Sequence, residues 1–322
     1  MVAAVLLRRK TMRKILLTTT ALVALGGVSA ASADISISGS ASYNYTTGTG
    51  GSFTADDSSM ATTVDFGIAG STVMDNGMTA TAGLDLHEGG VDDSGWTLGG
   101  DWGTLKFGGY ADDAFGAMAI DVTADEGNGF TGSGTANAAI DGDYNFKLPG
   151  DNYIDASDIS LHLPTVSGVS VVLGAADAND ASMAGVSYAM DAGDIGVTVA
   201  YAQSSSSLAN SDDSQIAAKI TAGDATVTVI SGASGSYNNS GVGATYALND
   251  SLTLQAYTGT TDHDTDTDFE VKDTGIGLTY TVTPGMSISL TSNDYSGKGG
   301  NNGGVAGDVS GTRNNIALDV SF

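Results

Sequence analysis

The chain has 322 residues, with 46 glycines, three prolines and no cysteine, and its 11 basic against 37 acidic side chains give a net charge of −26. Without cysteine there is neither a disulfide frame nor a thiolate metal site. A charge of this sign excludes the basic footprint that nucleic acid phosphates need, and abundant Gly, Ser and Thr with few strong helix formers point to strand and turn.

Residues 1–33 read as an export signal. Arg8, Arg9, Lys10, Arg13 and Lys14 form a basic start, Ile15 to Val28 is apolar, and Ala31-Ser32-Ala33 has the small-residue form that a signal peptidase cuts after. Cleavage is expected between Ala33 and Asp34, and Met12 offers a second translation start. The apolar run is shorter than the roughly 20 residues of a spanning helix. Removing the segment takes five basic residues and no acidic one, which leaves six basic against 37 acidic side chains, a net charge of −31, over residues 34–322. Such a surplus favours cations.

Beyond the signal no stretch approaches 18 consecutive apolar residues, so a helical membrane protein is excluded. A two-residue alternation recurs instead. In chain order it predicts strands at 34–46, 60–73, 78–87, 95–101, 104–110, 158–163, 169–177, 182–190, 195–204, 214–222, 225–233, 239–248, 251–260, 271–282, 286–295 and 312–322. Their apolar faces include Val64/Phe66/Ile68, Leu84/Leu86, Trp96/Leu98, Leu105/Phe107, Val197/Val199/Tyr201 and Ile276/Leu278/Tyr280/Val282. In the last strand Ile316, Leu318, Val320 and Phe322 share one face, because successive side chains on a strand point to opposite sides.

Between the strands, compact dipeptides alternate with longer, polar, acidic connections. The dipeptides are Asn76-Gly77, Trp102-Gly103, Ser167-Gly168, Gly193-Asp194, Gly223-Asp224, Asn249-Asp250 and Pro284-Gly285, most of which supply positive or fixed φ. An even strand number, short turns at one rim, long loops at the other and both termini at the short-turn rim describe an all-β chain: a sixteen-stranded antiparallel transmembrane β-barrel over residues 34–322. A soluble sandwich would need one very large domain or a division that no linker marks. Closure also removes the edge strands that lipid does not tolerate. Trp96, Trp102, Tyr43, Tyr45, Tyr110, Tyr188, Tyr201, Tyr246, Tyr257, Tyr280 and Tyr295 fall near predicted strand ends and are expected in two aromatic girdles at the headgroups.

The start "DISISGSASYNY", the segment "WTLGGDWGTLKFGGYADDAFGAM" running into a long acidic stretch, and the end "NIALDVSF" resemble the general Gram-negative porins, especially the trimeric sixteen-stranded porins of α-proteobacteria. The resemblance implies a homotrimer in the outer membrane, in contact with its lipids and lipopolysaccharide. It implies further that Phe322 is the signal read by the barrel-assembly machinery. In that family the third loop folds into the lumen and sets its narrowest point. Residues 111–157, which follow the fifth strand, stand in that position.

This segment carries Asp112, Asp113, Asp121, Asp125, Glu126, Asp141 and Asp143, together with Asp151 and Asp155, against Lys147 alone. Carboxylates confined in a pore favour cations, because the field is least screened where water is scarce. Related porins face this loop with arginines on the inner wall, whereas the early strands here contain no Arg. Lys106, Lys219 and Arg313 lie on the face opposite the apolar one and so are expected to point inward, dispersed along the chain. No cofactor is required. A calcium ion at Asp121, Asp125 and Glu126 is a possibility the resemblance raises, and the acidic run Asp262 to Asp268 lacks the Gly and Glu of an EF-hand. His87, His162 and His263 stand in dissimilar contexts, and no Gly-x-Ser-x-Gly, phosphate loop or His-Glu-x-x-His occurs, so an enzyme is not expected. The expected function is a passive general diffusion pore with cation preference for small hydrophilic solutes. The alternative is a substrate-specific channel, or a structural or adhesive surface barrel.

Overall fold

The computed structural model describes residues 34–49, 58–87, 90–111, 158–177, 180–207, 212–235, 237–264, 270–298 and 309–322. They form sixteen strands: β1 (Asp34–Thr49), β2 (Ser58–Val73), β3 (Thr79–His87), β4 (Gly90–Gly100), β5 (Gly103–Gly108), β6 (Ile159–His162), β7 (Val169–Ala176), β8 (Ala181–Ala192), β9 (Ile195–Ser205), β10 (Asp213–Ala222), β11 (Ala225–Ser234), β12 (Tyr237–Asn249), β13 (Leu252–His263), β14 (Glu270–Thr283), β15 (Met286–Lys298) and β16 (Val309–Ser321). Each pairs antiparallel with its chain neighbours, and β1 pairs with β16 to close the barrel. At the seam Tyr43 lies opposite Leu318 and Thr46 opposite Asn315, so apolar meets apolar and polar meets polar.

The alternation runs opposite to that of a soluble sheet. Ile276, Val229 and Ile216 are exposed at 64%, 51% and 55%, whereas Thr228 and Asp273 on the other face are exposed at 0% and 2%. Large apolar side chains on the outside and polar ones within suit a wall standing in hydrocarbon and exclude the sandwich. Among the described residues no helix is long and apolar enough to cross a membrane. The closed ladder leaves no unpaired edge to face lipid.

All sixteen expected strands form, and the turn chemistry holds at the rim that carries the chain end. Gly77, Gly168, Gly193, Gly223 and Gly285 have φ between +57° and +83°, and Ser167 has φ 51°. Phe322 completes the same rim. Its nitrogen donates to the Gly39 carbonyl at 2.9 Å, and its carbonyl accepts from the Gly39 nitrogen at 2.8 Å.

The opposite rim departs from expectation. Only residues 88–89 join β3 to β4, and only residues 235–236 join β11 to β12, so these connections are as short as turns. The missing length lies in the strands. β13 continues to His263 and β12 begins at Tyr237, tied by Thr261 to Asn239 at 2.7 Å and by Ser240 to Thr260 at 3.0 Å. Apolar alternation stops where the outer face leaves lipid, but backbone pairing continues, and a reading by periodicity ends strands such as β12 and β13 too soon, while β5 to β7 are shorter than expected.

The girdle expectation also needs correction. Tyr43, Tyr188, Tyr201, Tyr246 and Tyr280 are exposed on the outer face, and Trp96 stacks on Phe107 at 3.8 Å between centroids. Tyr257, however, is 4% exposed and faces inward. Its own strand settles this, since Leu252, Leu254 and Ala256 take the outer face and leave 257 to the inner one. Tyr110 also lies inside the barrel.

Candidate functional site

The candidate site is the inner wall, and strand register sorts it into rows. One row is made of small residues: Ser36, Ala69, Gly83, Gly95 and Gly108 stand opposite one another across β1 to β5. β5 is short and ends at Gly108, whose φ of +62° turns the chain off the strand. The turn is held by Gly109 donating to the Ser94 carbonyl at 3.0 Å and Ala111 to the Gly108 carbonyl at 2.8 Å. It delivers Tyr110 onto the row. A Cβ at Gly95 would stand 2.6 Å from the Phe107 carbonyl oxygen, 2.7 Å from the Tyr110 nitrogen and 2.8 Å from the Tyr110 Cβ, and a Cβ at Gly83 would overlap the Tyr110 hydroxyl. Glycine is required at both positions because another residue occupies its side-chain space.

Beside this row the wall carries charge. Asp85 reaches across Gly67, and Asp65 accepts from the Ser40 hydroxyl at 3.5 Å and pairs with Nδ1 of His87. Lys106 sits on β5 between Thr97 and Ser160, in register and alternate to Leu105 and Phe107. Lys219 stands on β10 between Thr198 and Thr228. Arg313 stands on β16 between Asn293 and Gly48.

A second, buried network runs along β12 to β16 and into β1. The Tyr257 hydroxyl donates to Asp273 at 2.6 Å, and the Asn293 amide donates to the two oxygens of the same carboxylate at 3.2 and 3.3 Å. Thr46 donates to Asn315 at 3.0 Å, and Asn315 to Asn44 at 3.3 Å. Tyr257 finds room because Gly243 and Gly275 flank it on the two neighbouring strands. A buried carboxylate with three hydrogen bonds is held in one geometry, which fixes this part of the wall.

Between these regions the wall is apolar. Val172, Met183, Ala200, Ala202, Ala217 and Ile230 form a cluster, each no more than 4% exposed, on inward positions of β7 to β11. Val172, Met183 and Ile230 are the large apolar side chains of this cluster.

Of the residues singled out from sequence, Asp112, Asp113, Asp121, Asp125, Glu126, Asp141 and Asp143 lie outside the described residues, as does Ala33. Asp34 is the first residue of β1. Phe322 lays its ring over Gly39, where a Cβ would stand 2.6 Å from its Cε2, and meets Phe66 edge-on at 5.9 Å. Asp262 and His263 belong to β13 rather than to a loop, and Asp264 accepts from the Asn238 amide. Among the described residues no group of three or more His, Asp or Glu is placed to hold a metal. Sequence reading assigned Tyr110 to a girdle and passed over Asp273 and Asn293. Asp273 and Asn293 were accessible from strand parity, but Tyr110 follows a Gly-Gly break at which parity stops.

Solved structures share this architecture. An anion-selective porin from Comamonas acidovorans superposes with a TM-score of 0.65 at 16% identity, over 90% of this chain and 100% of that one. OmpT, an outer membrane protein of Vibrio cholerae, gives 0.65 at 12% identity over 92% of this chain and 99% of its own. A mutant of Rh. blastica porin gives 0.65 at 16% identity, over 90% and 100%. At these identities the likeness shows the fold alone. None of the curated proteins matches the chain in sequence. A family model described as Gram-negative porin matches residues 18–302, so with its closed sixteen-stranded wall, apolar outside and polar within, the chain belongs to the Gram-negative porins, channel-forming barrels of the outer membrane.

Proposed function

We propose that the chain is a general diffusion porin with cation preference, whose segment 111–157 enters the lumen and narrows it. The observation that carries this reading is the path of the chain at the end of β5. Gly108 turns inward and Tyr110 lies on the glycine row of the inner wall, so the segment starts from inside the barrel. Asp112, Asp113, Asp121, Asp125, Glu126, Asp141 and Asp143 then stand in or near the constriction, with Lys106, Lys219 and Arg313 as the dispersed basic wall. The wall itself adds Asp65, Asp85, Asp213, Asp273 and Asp319 on inward positions. An acidic constriction beside a wall with few cations concentrates cations and repels anions. The anion selectivity of the Comamonas porin is a property of that protein.

On this reading residues 1–33 are a cleaved leader and Phe322 is the address for barrel assembly. The working form is a homotrimer set among phospholipid and lipopolysaccharide. Transport is passive and needs no cofactor, and calcium at Asp121, Asp125 and Glu126 would be a modulator of the constriction. Planar-bilayer recording under a salt gradient tests the central claim. Stepwise conductance with a reversal potential of cationic sign is expected, and no steps, or an anionic sign, would overturn it.

A second reading has one observation in its favour. Inward Val172, Met183 and Ile230 are almost wholly buried, which an open water-filled lumen does not require, and which suits a plugged barrel with a structural or adhesive role. Liposome swelling with sugars of graded size separates the two. A smooth decline with solute size fits the diffusion pore, a sharp preference for one sugar a specific channel, and no swelling the plugged barrel.

A further inference from the structure

We propose that the lower outer wall across β11–β15 is a groove for an acyl chain of an amine-headed phospholipid in the inner leaflet of the outer membrane. Strand pairing aligns Val227, Ala244, Ala256 and Ile276 in one row, with Tyr246, Leu254, Leu278 and Leu290 in the row below it. The outside of a barrel is convex, so a hollow there has to be made by side chains. Here Ala244 and Ala256 offer only a methyl group at adjacent positions, while the larger neighbours stand around them. The hollow measures about 740 Å³, within the roughly 300–1,000 Å³ of small-ligand sites. In hydrocarbon an unfilled hollow forfeits dispersion contacts on every side of its lining, so a chain that fits it is retained.

Its position selects the leaflet. Ala225 opens β11 directly after the Gly223-Asp224 turn, and Leu254 lies at the start of β13 after Asp250 and Ser251. Short turns mark the periplasmic rim of such barrels. The groove therefore faces phospholipid rather than lipopolysaccharide. In the next row Val229 and Val242 continue the apolar surface on β11 and β12, whereas on β13 to β15 it turns polar, where Thr258 and Thr274 bond at 2.8 Å and Asp294 accepts from Thr312 at 2.7 Å. A chain whose headgroup sits at the rim below reaches the groove directly. At that rim the turns present exposed Asp224 and Asp250 and contain no Lys or Arg. This charge complements an ammonium headgroup and disfavours an anionic one.

The chain lacks cysteine, so a single Ser292→Cys variant at the groove's edge carries a small fluorophore, and Val199→Cys, outward on β9, is the control. The intact barrel is reconstituted in phosphatidylethanolamine and phosphatidylglycerol vesicles in which one lipid or the other bears brominated acyl chains. Half-quenching at position 292 is expected at a roughly threefold lower fraction of brominated phosphatidylethanolamine than at 199. Brominated phosphatidylglycerol should show no such excess, and Ala244→Phe, which fills the floor, should abolish it. Equal quenching at the two sites overturns the proposal. So does an equal excess with either lipid, or crosslinking of two copies through Cys at 292, which would place a second barrel on this face. If Ala244→Phe does not assemble, the comparison of 292 with 199 still decides. Conductance is read separately, so failure here leaves the channel reading intact.

Discussion

Gly95→Ala is the sharpest probe of how the segment after β5 is anchored. The added methyl would meet the Phe107 carbonyl oxygen at 2.6 Å and the Tyr110 nitrogen at 2.7 Å, both backbone atoms. No rotamer change relieves backbone overlap. Ordinary contact needs about 3.5 Å, so the chain at Tyr110 has to lift by about 1 Å, or the barrel bears about 1–3 kcal/mol of overpacking. The first outcome moves the base of 111–157 away from the wall and changes single-channel conductance. The second lowers the unfolding midpoint and leaves conductance alone. Gly70→Ala is the control, because nothing stands within 4 Å of its added Cβ. Tyr110→Ala separates the two effects, since it removes the anchor without crowding the strands. We expect Gly95→Ala and Tyr110→Ala to share an altered conductance and an increased protease sensitivity within 111–157, with Gly70→Ala like the parent. Parental conductance in both Gly95→Ala and Tyr110→Ala would refute the anchoring argument.

Tyr257→Phe removes the donor that reaches Asp273 at 2.6 Å. Leaving a buried acceptor short of a partner costs about 1–3 kcal/mol, to be read as a lower midpoint in urea unfolding of the refolded barrel. An unchanged midpoint would mean that Asn293 and the Thr274 backbone satisfy the carboxylate without it. Phe322→Ala loses one edge-on ring pair with Phe66, a contact of about 0.5–1.5 kcal/mol. If the residue is an assembly address, the yield of folded barrel in cells falls far more than this small change in the purified protein's midpoint implies. Parallel, modest losses in both would make it a packing residue only. Joint neutralisation of Asp121, Asp125 and Glu126 to their amides should move the reversal potential towards zero. An unmoved potential would place these acids outside the conduction path.

Strand number, outer faces and the short turns were legible because lipid imposes one rule on every strand. An outer apolar residue at each second position is visible in Ile276, Leu278, Tyr280 and Val282 without any partner being known. The same rule misleads wherever lipid is absent. Above the bilayer β12 and β13 continue through Asn239, Ser240, Thr260 and Thr261, held by hydroxyl and amide pairing that carries no periodic apolar signal. On the inner side, neighbours on other strands decide what fits. Tyr257 between Gly243 and Gly275, and Tyr110 over Gly83 and Gly95, depend on registers that a single strand's sequence does not contain. Val172, Met183 and Ile230 depart from a polar interior for the same reason: they cluster with residues of other strands, Ala200, Ala202 and Ala217 among them, and not along the chain.

The distribution of charge follows from the same division of labour. Strand positions on the inner wall carry few ions because each has to be satisfied by neighbours at fixed spacing. Buried Asp273 depends on Tyr257 and Asn293, and half-exposed Asp65 also has Ser40 and His87 beside it. Connections face no such constraint. Residues 111–157 alone hold nine acids against Lys147. A carboxylate already bonded within the wall projects little field into the lumen, whereas an acid in a segment near the narrowest point acts on every ion that passes. The wall's Asp65, Asp85, Asp213, Asp273 and Asp319 outnumber Lys106, Lys219 and Arg313, a surplus of the same sign as the acids of 111–157. On the proposed reading the choice of ion falls to the segment that begins at Tyr110, and the glycine row that seats Tyr110 then bears on selectivity together with the acids.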